Sequence, residues 1–382
     1  MNFWETRPQV VGHEPLCAEE EAFALACLAS ARRASLRDPQ DVRVFTDDKI
    51  VNPTRVDPYL PSLEHDTGFA GYARRLRSQA GSFALTINSL QQFDWGFWRT
   101  LRRHTDPVLA ATGAWSAGGV DCHLIASVYG TAPTLIHKDT AGVFTYVLHG
   151  FKRYYTWPYE VFAGQAGPEA LQRQVNLPHH LRYQDHLDTA TVVEGGPGTV
   201  LYWPSDRWHC ATSDGDLAVS VHIAHYQWDD RLAWLLRRLR RTAEAELGVA
   251  RFDGDAQVRK TVAGHLDDAA LGLEVRLGRL RRSTASNFEV VPEPRPGREL
   301  AADDPLTVPA QSSVAAVTDD GLTYLAANGH LMRVTGGAWV DSFLPELAPG
   351  VTRAFGEWRD LAGPGAATLV GELVRRGALE PA

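Results

Sequence analysis

Two stretches decide how this chain is read. One is Thr134-Leu135-Ile136-His137-Lys138-Asp139. The other begins 59 residues beyond that aspartate and runs Gly198-Thr199-Val200-Leu201-Tyr202-Trp203-Pro204-Ser205-Asp206-Arg207-Trp208-His209. The first closes a β-prone run on a His-x-Asp pattern; the second is a turn, a strand, a proline and then a histidine. Alternate residues of a strand share a face, so His137 and Asp139 can offer two ligands to one ion, with His209 as a third. Two imidazoles and one carboxylate on one face of an octahedron leave three positions open for other molecules. The same donors also bind zinc, so the ligand set alone does not choose the metal.

His-x-Asp by itself says little. With 14 His and 27 Asp in 382 residues, about one match is expected by chance. The pattern recurs at His186-Leu187-Asp188, in a polar loop, and at His265-Leu266-Asp267, in a region of helical periodicity. Context favours His137-Lys138-Asp139, which stands between two β runs.

Outward from these stretches, 122–129 (CHLIASVY), 143–150 (VFTYVLHG), 152–158 (KRYYTWP), 199–204 (TVLYWP) and 217–228 (LAVSVHIAHYQW) are short β-rich runs punctuated by Gly, Pro and Asp. Many short strands without intervening helices predict a sandwich or barrel. Helices are expected around it at 19–33, 68–79 and 95–104, with a strand at 82–87. Beyond the β region, Leu232, Leu235, Leu236, Leu239, Ala243 and Leu247 share one helical face, and 271–282 continues in that vein. Pro292-Glu293-Pro294-Arg295-Pro296-Gly297 reads as a stiff linker. In the tail, Asn328-Gly329 between two β runs predicts a type I′ hairpin. The helical segments after it end before Gly377, a C-cap, and hairpin plus helices suggest a winged helix. The expected division is 1–228 with its motif core at 120–228, a helical 229–297 that could form a homodimer, and 298–382.

Composition sets the outer bounds. A length of 382 residues exceeds what one core usually holds, while 44% hydrophobic and 22% charged residues are ordinary for a globular chain. No run reaches the roughly 18 apolar residues of a membrane span, and the first residues lack the basic-then-apolar pattern of a signal peptide. Four cysteines without CxxC spacing argue against a disulfide framework or zinc ribbon, and a cytoplasmic setting is expected. Only four of the 38 basic residues are lysines (Lys49, Lys138, Lys152 and Lys260), so a lysine here is a rare choice.

With His137, Asp139, Lys152 and the GTVLYWPSDRWH phrase in view, the chain resembles the JmjC-domain (cupin-fold) 2-oxoglutarate-dependent oxygenases. The opening Phe3-Trp4, Arg7-Pro8 and Val10-Val11 is similar to the entry of such domains. The resemblance covers 1–228, with its specific motifs at 134–209. A helical middle followed by a winged-helix tail is similar in order to the ribosomal-oxygenase-type protein hydroxylases, which extends it loosely to the whole chain.

The resemblance implies a double-stranded β-helix (jelly roll) with flanking helices. It implies Fe(II) on His137, Asp139 and His209, with 2-oxoglutarate as cosubstrate and dioxygen as oxidant. Lys152 would pair with the distal carboxylate of 2-oxoglutarate, a charge-assisted contact that is strong when desolvated. Thr134, three residues before His137, matches a position that also bonds this carboxylate, although strand alternation puts it on the opposite face and would require a local twist. Ser220 and His222, two residues apart on one strand face, are further candidates for cosubstrate or substrate contact. Tyr146, Tyr154, Trp157 and Trp203 could wall the cavity, and Cys210 should point away from the metal.

The implied activity is hydroxylation of a side chain of a protein or peptide, with release of succinate and carbon dioxide. The same chemistry on a free amino acid or other small molecule stays open, as does a non-catalytic cupin-like binding protein. Residues 301–382 carry five arginines against ten acidic residues, and the whole chain has a net charge of −8. Phosphate binding needs the opposite sign, which argues against DNA as partner.

Overall fold

The computed structural model describes residues 2–36, 38, 41–113, 118–167, 170–171, 173–227, 268–334, 339–363 and 366–382. The chain divides into two compact units, Met1–Trp228 and Asp229–Ala382. The helical pattern expected from 229 to 247 and the His265-Leu266-Asp267 match lie outside the described residues.

The first unit holds thirteen strands among its described residues: β1 (Gln9–His13), β2 (Val42–Thr46), β3 (Lys49–Ile50), β4 (Phe83–Ile87), β5 (Gly119–Val128), β6 (His137–Lys138), β7 (Ala141–His149), β8 (Lys152–Trp157), β9 (Val175–Asn176), β10 (Thr191–Gly195), β11 (Thr199–Trp203), β12 (Trp208–Thr212) and β13 (Leu217–Tyr226). They form an eight-stranded sheet in the order β1-β11-β7-β13-β5-β4-β2-β3 and a five-stranded sheet in the order β10-β8-β12-β6-β9. Every pairing is antiparallel. One buried cluster draws Val143 and Val147 from β7, Leu201 and Trp203 from β11, Tyr154 from β8 and Ala211 from β12. Residues of both sheets therefore meet in one interior, which is the jelly-roll arrangement expected from the short β runs. The opposite side of the small sheet buries Ile136, Trp157, Trp208 and Cys210 with Phe162 and Leu177. Burying an aromatic side chain of this size contributes about 2–3 kcal/mol.

Three helices flank the sheets. α1 (Glu19–Arg32) opens on Glu19, Glu20 and Glu21 and closes on Arg32, charges that suit the helix dipole. α2 (Phe69–Arg77) follows Gly68, whose φ of 97° only glycine adopts readily. α3 (Trp95–Thr112) is capped by the Asp94 carboxylate, which accepts from the Phe97 N–H at 2.7 Å. It runs on through Pro107, eight residues past the expected end at His104. Buried Thr105 and Val108 hold the continuation against the fold, and packing outweighs the lost backbone hydrogen bond. Among the described residues no helix is long and apolar enough to cross a membrane.

The second unit contains α5 (Asp268–Thr284), numbered after a one-turn α4 (Ala163–Ala166) in the first. A meander of β15 (Val314–Asp319), β16 (Leu322–Ala327) and β17 (His330–Val334) follows β14 (Pro305–Thr307). Its hairpin turns on Asn328 and Gly329, with φ of 48° and 87°, as the type I′ signal requires. A second sheet joins β14 to β18 (Thr352–Ala354) and β19 (Glu380–Pro381), the strands that bracket α6 (Phe355–Ala362) and α7 (Ala366–Arg375). The hairpin expected as the wing thus belongs to a different sheet from the strands flanking the helices. Leu306, Phe343, Trp358, Val370 and Leu373 form the core of this unit. The Pro-rich stretch is docked within it: the Arg295 N–H donates to the Arg375 carbonyl at 2.7 Å, and the Pro292 carbonyl lies 2.9 Å from His330 Nε2.

Candidate metal centre

β6 and β12 pair so that His137 sits directly opposite His209. Their ring centroids are 4.1 Å apart. Asp139 follows β6, and its Oδ2 lies 3.4 Å from His209 Nε2. One ligand atom from each of the three falls within 4.8 Å of the others, close enough to share an ion. In both histidines Nδ1 is turned to the backbone carbonyl two residues earlier: Leu135 O at 3.0 Å for His137 and Arg207 O at 3.4 Å for His209. A proton on each Nδ1 satisfies those carbonyls and leaves each Nε2 lone pair for the cluster, the orientation that metal-binding histidines use. Leu135 can aim its carbonyl back because it adopts a left-handed φ of 52°, unusual for a non-glycine residue.

The electrostatics suit a cation. Burial, with His209 alongside, brings His137 down to about 4 against the opposing pull of Asp139, so the imidazole is neutral near pH 7. Burial would raise the Asp139 carboxyl, but the hydrogen bond to His209 and the two histidines hold it well below the usual range. A neutral His137 and an ionised Asp139 are protonation states that suit a metal.

The other His-x-Asp matches among the described residues do not form such a group. His186 and Asp188 lie in a 3₁₀ turn, Tyr183–Thr189, on the outside of the small sheet. A further match, His104-Thr105-Asp106, lies within α3, where His104 Nδ1 is 3.3 Å from the Tyr146 hydroxyl. Among the described residues, His137, Asp139 and His209 are the cluster that could hold a metal.

Lys152 begins β8 immediately after the Gly150 turn and is fully buried. Its ammonium donates to Ser127 Oγ at 2.9 Å and Tyr129 Oη at 3.0 Å, and lies 4.7 Å from the Tyr129 ring centre. No carboxylate among the described residues pairs with it. A buried ammonium held only by neutral hydroxyls is costly unless an anion joins it. Thr134 lies in an exposed turn ahead of β6, and the hydroxyls that reach Lys152 come from Ser127 and Tyr129 instead. Leu135, with its left-handed φ, supplies an irregularity between Thr134 and His137, yet Thr134 still stands exposed.

Ser220 and His222 share the inner face of β13. Ser220 Oγ is 2.9 Å from His222 Nε2, and Thr145 Oγ1 is 3.0 Å from His222 Nδ1. Burial and the Lys152 charge hold His222 well below its ordinary value. The Tyr154 and Trp203 rings lie tilted to one another with centroids 4.4 Å apart, and Trp203 lies 5.1 Å from the His209 ring. Of the other expected wall residues, Trp157 is in the cluster outside the small sheet, together with Cys210. Tyr146 points to His104 on the outer side of β7. Ser127, Tyr129 and Thr145 were not among the expected site residues. Only the pairing of β13 with both β5 and β7 brings them inward, and no local motif marks them.

No family model matches the chain, and no curated protein matches it. Solved structures do. The YcfD ribosomal oxygenase of Escherichia coli in complex with cobalt and 2-oxoglutarate superposes with a TM-score of 0.52 at 15% identity, covering 99% of this chain and 97% of that one. The same protein with cobalt and succinic acid gives 0.50 at 16% identity, again covering 99% and 97%. A third YcfD structure gives 0.51 at 15% identity over 100% of this chain and 97% of that one. The chain has the fold of a ribosomal oxygenase. The likeness spans both units, in agreement with the cupin-type architecture and chain-long resemblance expected from the sequence.

Proposed function

We propose that this chain is an Fe(II)- and 2-oxoglutarate-dependent oxygenase that hydroxylates a side chain of a protein or peptide. The observation that carries the reading is the pair of demands made by one interior: three candidate metal-ligand side chains within 4.8 Å of one another, and a buried Lys152 with no carboxylate partner among the described residues. A dicarboxylate that chelates a metal at one end and meets an ammonium at the other answers both. His137, Asp139 and His209 would hold the iron on one face. Lys152, with Ser127 and Tyr129, would hold the far carboxylate. Bound there, iron and the 2-oxo acid would activate dioxygen, one oxygen atom going to the substrate C–H bond and the other into succinate as carbon dioxide leaves, chemistry that no side chain possesses.

The chain's own contribution is positional. The Leu135 and Arg207 carbonyls fix the imidazoles, and the inner faces of β5, β7, β11 and β13 shield the cavity. The fold-mates' description as ribosomal oxygenases, and their cobalt, 2-oxoglutarate and succinic acid complexes, support the same assignment and point to a ribosomal protein as substrate. The test is anaerobic titration with Mn(II) and 2-oxoglutarate, then aerobic turnover with Fe(II) over a set of ribosomal proteins. Succinate release coupled to a +16 mass shift on one protein is expected. Turnover coupled only to a free amino acid would move the reading to small-molecule chemistry, and absence of metal-dependent 2-oxoglutarate binding would end it.

A further inference from the structure

Trp203 closes β11 and faces the interior between the sheets, with 2% of its surface exposed. Its indole Nε1 is buried and has no hydrogen-bond partner among the described residues. Buried indole N–H groups ordinarily find an acceptor, and an unpaired one forfeits its hydration without compensation.

The position of the ring suggests what is missing. Its centroid lies 4.4 Å from that of Tyr154, 5.1 Å from that of His209 and 6.4 Å from that of His222. Trp203 therefore stands between a metal-ligand candidate and the buried Thr145–His222–Ser220 group. The neighbouring imidazoles are committed elsewhere: His222 turns its nitrogens to Thr145 and Ser220, and His209 turns Nδ1 to Arg207 O and Nε2 toward the cluster it forms with Asp139. An aliphatic side chain would fill this interior without leaving a donor unpaired. A tryptophan here adds one N–H to the interior that also holds the buried Lys152 ammonium.

Resting on the oxygenase reading, we propose that Trp203 is a cosubstrate-binding residue whose Nε1–H donates a hydrogen bond to an oxygen of the 2-oxo acid. It would complement Lys152: one donor is a charge at the far carboxylate, the other a neutral N–H nearer the metal ligands. A neutral donor suits the second place, because another cation beside the triad would compete with the metal.

The experiment is calorimetric titration of the full chain under nitrogen, first with Mn(II) and then with 2-oxoglutarate. Trp203→Phe keeps an aromatic ring against Tyr154 and His209 but removes the N–H. It should bind Mn(II) within about twofold of the parent and 2-oxoglutarate about tenfold or more weakly, as expected for a hydrogen bond to a charged acceptor. Unchanged 2-oxoglutarate affinity would overturn the proposal. An independent measurement uses the unaltered, ¹⁵N-indole-labelled chain loaded with Zn(II). Its Trp203 indole proton, identified through its contacts with the Tyr154 and His209 rings, should move downfield when 2-oxoglutarate is added. An indole proton that stays in place would refute the assignment even if Trp203→Phe failed to fold. If the parent chain with Mn(II) does not bind 2-oxoglutarate at all, the oxygenase reading fails and takes this proposal with it.

Discussion

On the proposed reading, Lys152 trades stability for binding. Its ammonium is fully buried and meets only two hydroxyls and an aromatic face. Removing an uncompensated buried charge in favour of an apolar side chain of similar length is often neutral or stabilising. Lys152→Met should therefore melt at or above the parent temperature without ligand, yet bind 2-oxoglutarate at least about 100-fold more weakly; calorimetry and titration on the same sample check both. His225 makes the converse case, a buried imidazole whose contacts are with aromatic rings. It packs edge-on against Trp4 and Phe144, and neither ring nitrogen has a hydrogen-bond partner among the described residues. Burial brings it down to about 3. The folded imidazole is then neutral where an unfolded one, at about 6.5, would take up a proton. Stability from this residue is full above about pH 6.5 and declines as pH falls toward 3, because the unfolded chain binds the extra proton. His225→Phe should raise the melting temperature, and by more at pH 5 than at pH 8. An equal gain at both values would show that this imidazole does not contribute to acid sensitivity.

The turn between β7 and β8 decides where Lys152 starts. Gly150 has a φ of 68°, and a Cβ there would drive into the Leu217 carbonyl on β13. Gly150→Ala combines a strained dihedral with a backbone clash and should cost on the order of 2–4 kcal/mol. Urea melts would measure that loss, and weaker 2-oxoglutarate binding should accompany it because Lys152 is two residues away. Elements of this kind also show what the sequence could and could not convey. The β runs around His137 and His209 were legible because alternation and Gly/Pro punctuation are local, and so was the Asn328-Gly329 turn. The continuation of α3 past Pro107 was hidden, since proline reads as a stop unless buried neighbours such as Val108 are known. Thr134 rested on the resemblance and needed a local twist to reach the inner face; Leu135 does turn left-handed ahead of β6, yet it leaves Thr134 in an exposed turn, an outcome no spacing conveys. Ser127 and Tyr129 could not be found at all. They come from β5 and the residue after it, and meet Lys152 only through long-range strand pairing.

At the scale of the whole molecule, the two compact units each have a buried core of their own, and all three metal-ligand candidates lie in the first. Independent cores predict separable unfolding, with two calorimetric transitions rather than one. A ligand that binds only the folded form of one unit stabilises that unit by mass action, about 2.7 kcal/mol at 100 times its dissociation constant. Mn(II) together with 2-oxoglutarate should thus raise one transition and leave the other in place. His209→Ala removes a candidate ligand that faces His137 directly across β6 and β12, so on the proposed reading the same addition should no longer move that transition in the variant. The untouched transition acts as an internal control for general effects of the metal. Equal shifts of both transitions in the parent chain would show that the units unfold as one. A shift that persists in His209→Ala would place the metal somewhere other than this cluster.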